Sequence, residues 1–118
     1  MDFFTNLFQR STVTQLDPDE VQTLISQHPR PILLDVRTPQ EYKEYHIGGA
    51  QLIPLTELSD KLKHIPRDRK VVCVCASGSR SNSAARRLEK EGYKVSNMKG
   101  GMSRWMKNGL PVKKGMAK

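Results

Sequence analysis

Cysteine is nearly absent from this sequence: two residues among 118, Cys73 and Cys75, separated by a single valine. A bridge between them would close a tiny, strained ring, so a disulfide framework is excluded. Long apolar runs are missing as well, and none approaches the ~20 residues that a membrane helix needs. The start, Met1-Asp2-Phe3-Phe4, lacks the positive stretch, apolar stretch and small-residue cleavage site of a secretory signal. A cytoplasmic protein with reduced thiols and no membrane partner is expected. Histidine is scarce, and His28, His46 and His64 stand at no metal-ligand spacing, so neither a metal nor a cofactor is expected.

Acidic residues are scarce in one half only. Residues 59–118 hold sixteen basic side chains against four acidic, whereas residues 1–58 hold four against eight; the whole carries +8. From Lys99 onward come Lys99, Arg104, Lys107, Lys113, Lys114 and Lys118, with no acidic residue. Such asymmetry points to an anionic substrate or an acidic protein partner. Nucleic acid is not expected: no recognition motif appears, and the basic half offers only Tyr93 and Trp105 for base stacking.

The composition that remains, 36% hydrophobic and 27% charged, is that of one globular domain. Asp17-Pro18-Asp19-Glu20 reads as a helix start, followed by the apolar face Val21, Leu24, Ile25. Pro31-Ile32-Leu33-Leu34-Asp35-Val36 reads as a buried strand. Thr38-Pro39-Gln40-Glu41 repeats the start signal for a short helix ending near Tyr45. Gln51-Leu52-Ile53 reads as a strand, and residues 55–63 as a helix stopped by Pro66. The clearest strand is Lys70 to Cys75 and the clearest helix Ser81 to Glu91. A further strand is expected over 93–98, and a last helix over 102–107. Strands alternating with helices imply an α/β fold, a mainly parallel central sheet with helices on both faces.

The sharpest feature lies between the apolar strand Val71-Val72-Cys73-Val74 and that helix: Cys75-Ala76-Ser77-Gly78-Ser79-Arg80-Ser81. Ligand sites in α/β sheets gather at the carboxyl ends of strands. A short loop of small residues there lets several backbone N–H groups point at the Cys75 sulfur, and the following helix adds its positive end. Both favour the thiolate, which is the nucleophile. Gly78 supplies unusual backbone angles, the serines supply donors, and Arg80 supplies a fixed charge. Cys73, inside the strand, reads as a packing residue. Asp35 and Arg37 read as structural, with Arg37 pairing Glu41 or another carboxylate. His46 reads as an ordered turn residue and Trp105 as a packing anchor. Phe3, Phe4, Leu7 and Phe8 suit either packing on the domain or a docking contact.

Four ordered segments resemble the single-domain rhodaneses. They are Leu34-Asp35-Val36-Arg37 with Glu41-Tyr42; His46-Ile47-Gly48-Gly49-Ala50; Cys75 to Ser81; and Gly100-Gly101-Met102 with Trp105 and Gly109-Leu110-Pro111-Val112. The resemblance implies a rhodanese-like domain over 12–112, with an N-terminal extension, 1–11, and a basic C-terminal tail, 113–118. It implies a sulfurtransferase in which Cys75 is catalytic and Ala76, Ser77, Gly78, Ser79 and Arg80 cradle the substrate. Sulfur would pass from a small anionic donor such as thiosulfate to cyanide, a thiol or a protein acceptor, through a persulfide. The alternative is a sulfur-relay or binding module without free turnover. Ala76 and Ser77 stand where some thiosulfate-specific members carry cations, leaving Arg80 as the loop's one charge. The same architecture hosts phosphatases of the cell-cycle type, whose loop is one residue longer; here Arg80 is the fifth residue after the cysteine, a spacing that suits sulfur rather than phosphate.

Overall fold

Five parallel strands carry the structure, a computed structural model that describes residues 13–118. In chain order the elements are β1 (Thr14–Leu16), α1 (Pro18–Ile25), β2 (Ile32–Asp35), α2 (Pro39–Glu44), β3 (Gln51–Leu52), two 3₁₀ turns (Leu55–Glu57 and Ser59–His64), β4 (Val71–Val74), α3 (Ser79–Lys90), β5 (Val95–Met98) and α4 (Gly101–Lys107). The strand order is β1-β5-β4-β2-β3. β4 lies at the centre, between β5 and β2, and all four of its residues are buried. That explains its unbroken apolar run, since both faces of a parallel sheet are covered.

Alternate residues feed two cores. On one face Leu34, Val71, Cys73 and Cys75 pack with Ala84, Ala85 and Leu88 of α3 and with Leu58 and Ile65. On the other, Leu33, Val72, Val74 and Met98 pack with Val21 of α1, Tyr42 of α2, and Met102 and Trp105 of α4. The expected mainly parallel α/β sheet with helices on both faces is thus what forms.

Three local expectations need correcting. β1 has no counterpart in the sequence reading; it is three residues long, mostly exposed, and is a strand only through its pairing with β5. Residues 55–63 do not form one α-helix. Leu58, Lys61 and Ile65 donate to carbonyls three residues back, on Leu55, Leu58 and Leu62, and Lys61 has non-helical angles. Two tight turns, broken at Lys61, bring Leu58 and Ile65 into the core. Finally, β5 starts at Val95 rather than residue 93, because Tyr93 turns inward and its hydroxyl donates to the carbonyls of Leu62 and Ile65.

Connections leave β2 toward one edge and β4 toward the other. The carboxyl ends of these neighbours therefore form the switch point at which α/β sheets bind ligands. Cys75 follows β4, and Arg37 to Glu41 follow β2. The Phe3–Phe8 cluster and the N-terminal extension lie outside the described residues.

Candidate active site

The turn from β4 into α3 is shaped from two sides. Gly78, at φ +100°, caps α3 in the left-handed region, and a β-carbon there would sit 3.1 Å from the Gly100 nitrogen. From the opposite side α4 presents its N-terminus: Met102 N–H donates to the Cys75 carbonyl at 2.8 Å and Ser103 N–H to the Ala76 carbonyl at 3.0 Å. In a trans peptide the N–H opposes its carbonyl, so the N–H groups of Ala76 and Ser77 point away from α4. The first N–H groups of α3, on Ser79, Arg80 and Ser81, have no carbonyl one turn earlier within the helix. Ser77 and Ser79, on either side of Gly78, are exposed.

Cys75 itself has no exposed surface. Its Sγ accepts from Gly78 N–H at 3.0 Å and from the Ser81 hydroxyl at 3.2 Å. The sequence led us to expect several backbone N–H groups on the sulfur; one reaches it, joined by a side chain. The sulfur lies inward, in the α3-side core, so only Gly78 turns back far enough. Cys73 is in the same core, two residues earlier on the same face. Burial, reinforced by Cys75, pushes its thiol up, which keeps it protonated and inert at neutral pH. Both cysteines are free.

The helix α3 begins two residues before the expected Ser81, so Arg80 lies in its first turn and reaches across to α2. Its Nη1 and Nη2 donate to Oε1 and Oε2 of Glu41 at 2.7 and 2.8 Å. Glu41 also closes the α2 capping box, accepting from Thr38 N–H at 3.0 Å. The fork fixes Arg80 as a strut between the two loops of the switch point. Arg37 chooses the other carboxylate: Nε donates to Asp35 Oδ1 at 3.0 Å and Nη2 to Oδ2 at 2.9 Å, with both side chains buried. Its Nη2 also donates to the Tyr45 carbonyl at 2.7 Å, tying β2 to the end of α2.

The Arg80 hydrogen bonds hold Glu41 down at about 2, against burial, from an ordinary 4.5. A carboxylate lowered in the fold stabilises it above its unfolded value and loses that contribution as pH falls toward the folded one. The stability gap between the parent and Glu41→Gln should therefore stay constant above roughly pH 5 and close between about 4.5 and about 2. Urea titrations across that range check this; a gap that changes between pH 5 and 7 contradicts it.

One group of site residues escaped the sequence reading. Asn97 of β5 is buried, and its Oδ1 lies 2.5 Å from the Ser81 hydroxyl. Its Nδ2 donates to Gln15 Oε1 at 2.9 Å and to the Gly78 carbonyl at 3.3 Å. Gln15 Nε2 in turn donates to Asn82 Oδ1 at 2.9 Å. The available signal is weak, a pair of polar residues, Ser96 and Asn97, inside the strand Val95–Met98.

The remaining candidates are structural. His46 is buried, stacked on Tyr42 at 3.8 Å, with Nδ1 and Nε2 at 2.9 and 2.8 Å from the carbonyls of Tyr42 and Ala117. The 113–118 segment docks there, through paired backbone bonds between His46 and Lys113. Trp105 is fully buried, and its Nε1 donates to the Pro111 carbonyl at 3.0 Å. Among the described residues no cluster of three or more His, Cys, Asp or Glu could hold a metal ion, and no helix is long and apolar enough to cross a membrane.

Cys75 thus stands at the switch point of a parallel sheet, followed by the turn Ala76–Gly78 and by Arg80 in the first turn of α3. A family model for the rhodanese-like domain matches residues 17–108. A "Sulfurtransferase" from Allochromatium vinosum is 34% identical over 85% of this chain and 94% of its own length. A "Thiosulfate sulfurtransferase GlpE" from Pseudomonas fluorescens is 32% identical over 80% of this chain and 86% of its own. The crystal structure of a rhodanese-related protein from Thermoplasma volcanium superimposes with a TM-score of 0.79, at 31% identity, covering 85% of this chain and 97% of that one. Other curated relatives are longer, the chain spanning 59% of one and 26% of another. This chain belongs to the rhodanese-like sulfurtransferase family.

Proposed function

We propose that the chain is a thiosulfate sulfurtransferase that carries sulfur as a persulfide on Cys75. The supporting observation is the placement of Sγ: it accepts from Gly78 N–H and the Ser81 hydroxyl, beneath a loop whose Cys75 and Ala76 carbonyls are drawn off by α4. The Cys75 thiolate attacks the outer sulfur of thiosulfate. A bond forms between Sγ and that sulfur, the donor's sulfur–sulfur bond breaks, and sulfite leaves with its electron pair. Negative charge then rests on the outer sulfur of the persulfide. The loop donors of Ala76, Ser77, Gly78, Ser79 and Arg80 are the groups available to stabilise it. Cyanide or a thiolate next attacks the outer sulfur, and Sγ departs as the thiolate.

Cys75 is sealed in this conformation, so the donor reaches Sγ only as the loop yields. Lys99 and Arg104, which share Asp17 at 3.9 and 3.6 Å, flank the Gly100–Gly101 turn against the loop and favour an anionic donor. Two free thiols and a persulfide suit a reducing cytoplasm.

Steady-state kinetics with thiosulfate and cyanide test the reading. Two displacements through one covalent intermediate predict parallel double-reciprocal lines. Intersecting lines would contradict the covalent route. A single equivalent of sulfur taken up without turnover, from every small donor–acceptor pair tried, would make the protein a relay module instead.

A further inference from the structure

The Ser81 hydroxyl has one proton and two acceptors, Asn97 Oδ1 at 2.5 Å and Cys75 Sγ at 3.2 Å. Both contacts are buried, so water does not supply a second donor. The amide of Asn97 is fixed in orientation by its neighbours. The Gly78 carbonyl only accepts, so it must face Nδ2; Oδ1 is then left toward Ser81. Gln15 closes the chain head to tail, accepting from Asn97 and donating to Asn82. Asn97 thus competes with the sulfur for the hydroxyl proton.

We propose that Asn97 is a positioning residue that holds the Ser81 proton away from Cys75 whenever Sγ is uncharged. In the thiol state Ser81 donates to Asn97, and the S–H donates to the Ser81 oxygen. When the thiol proton is lost to solvent, the hydroxyl turns and donates to the anionic sulfur. When a persulfide forms, charge moves to the outer sulfur, Sγ is neutral, and the hydroxyl returns to Asn97. The consequence rests on the sulfur-transfer reading: Asn97 weights the balance toward the loaded persulfide and against the empty thiolate.

The test reads the proton arrangement without any sulfur transfer, so its failure is separate from failure of that reading. Thiolate formation is followed by ultraviolet absorbance across pH, which needs no reagent to reach the buried sulfur. Cys73 stays protonated through the range. In Asn97→Leu the competing acceptor is gone, and the Cys75 midpoint should fall by about one pH unit, the scale of a charge-assisted hydrogen bond. Ser81→Ala should raise it. In the Ser81→Ala background, Asn97→Leu should move the midpoint far less, leaving only what the lost Nδ2 bond to the Gly78 carbonyl contributes. Asn97→Ala gives the same comparison if the leucine does not fold. An unchanged midpoint with Ser81 present overturns the proposal, and so does an equal shift with and without Ser81.

Discussion

Gly101→Ala should lower sulfur-transfer turnover about 100-fold, the scale set by misplacing a reacting group by about an ångström. Gly101 has φ +58°, and a β-carbon there would lie 2.4 Å from the Cys75 carbonyl oxygen and 2.6 Å from the Ala76 carbonyl carbon and oxygen. These are backbone atoms at the root of the Cys75 loop and cannot swing aside as a flexible side chain does. Either α4 retreats, breaking the Met102 and Ser103 bonds, or the loop moves with Sγ. Gly109→Ala is the control. Its φ is +72°, so it bears the same left-handed strain, but nothing lies within 4 Å of the added carbon. Full activity in Gly101→Ala, or an equal loss in Gly109→Ala, would show that the close approach does not set the loop.

Asp35→Ala should cost about 3–5 kcal/mol of stability, the usual cost of breaking a buried ion pair from one side. The variant leaves the Arg37 guanidinium buried beside Tyr45 without its carboxylate, and also strips the acceptor from Arg37 N–H. Replacing both partners removes the uncompensated charge, so Asp35→Ala with Arg37→Leu should lose less than Asp35→Ala alone. Urea unfolding of Asp35→Ala, Arg37→Leu and the double variant measures this. A loss below 1 kcal/mol for Asp35→Ala, or strictly additive losses, would contradict the account of a buried, mutually dependent pair. The pair lies at the carboxyl end of β2, where Asp35 is in register with Val74, so it also supports the strand that delivers Cys75.

The centre of the site was legible because its signals are local. A buried valine run, a cysteine, a run of small residues and a helix pattern follow one another between residues 71 and 90. The two proline-containing helix starts were legible for the same reason, since Glu20 and Glu41 close their boxes three residues on. What the sequence withheld is long-range. Arg80 finds Glu41 thirty-nine positions away, and Asn97 meets Ser81 and Gln15 only because β5 lies between β1 and β4. β1 itself carries no strong strand pattern; its partner makes it a strand. The burial of the sulfur follows from packing under α3, which no periodicity reports.

Intact-protein mass spectrometry after thiosulfate treatment decides whether Cys75 carries a persulfide. The parent should gain the mass of one sulfur atom, removed by a thiol reductant. Cys73→Ser should gain it too, because the Cys73 thiol is buried and held protonated. Cys75→Ser should gain nothing. A sulfur adduct that persists in Cys75→Ser, or a parent that takes up no sulfur from thiosulfate or any other sulfane donor, would contradict the account.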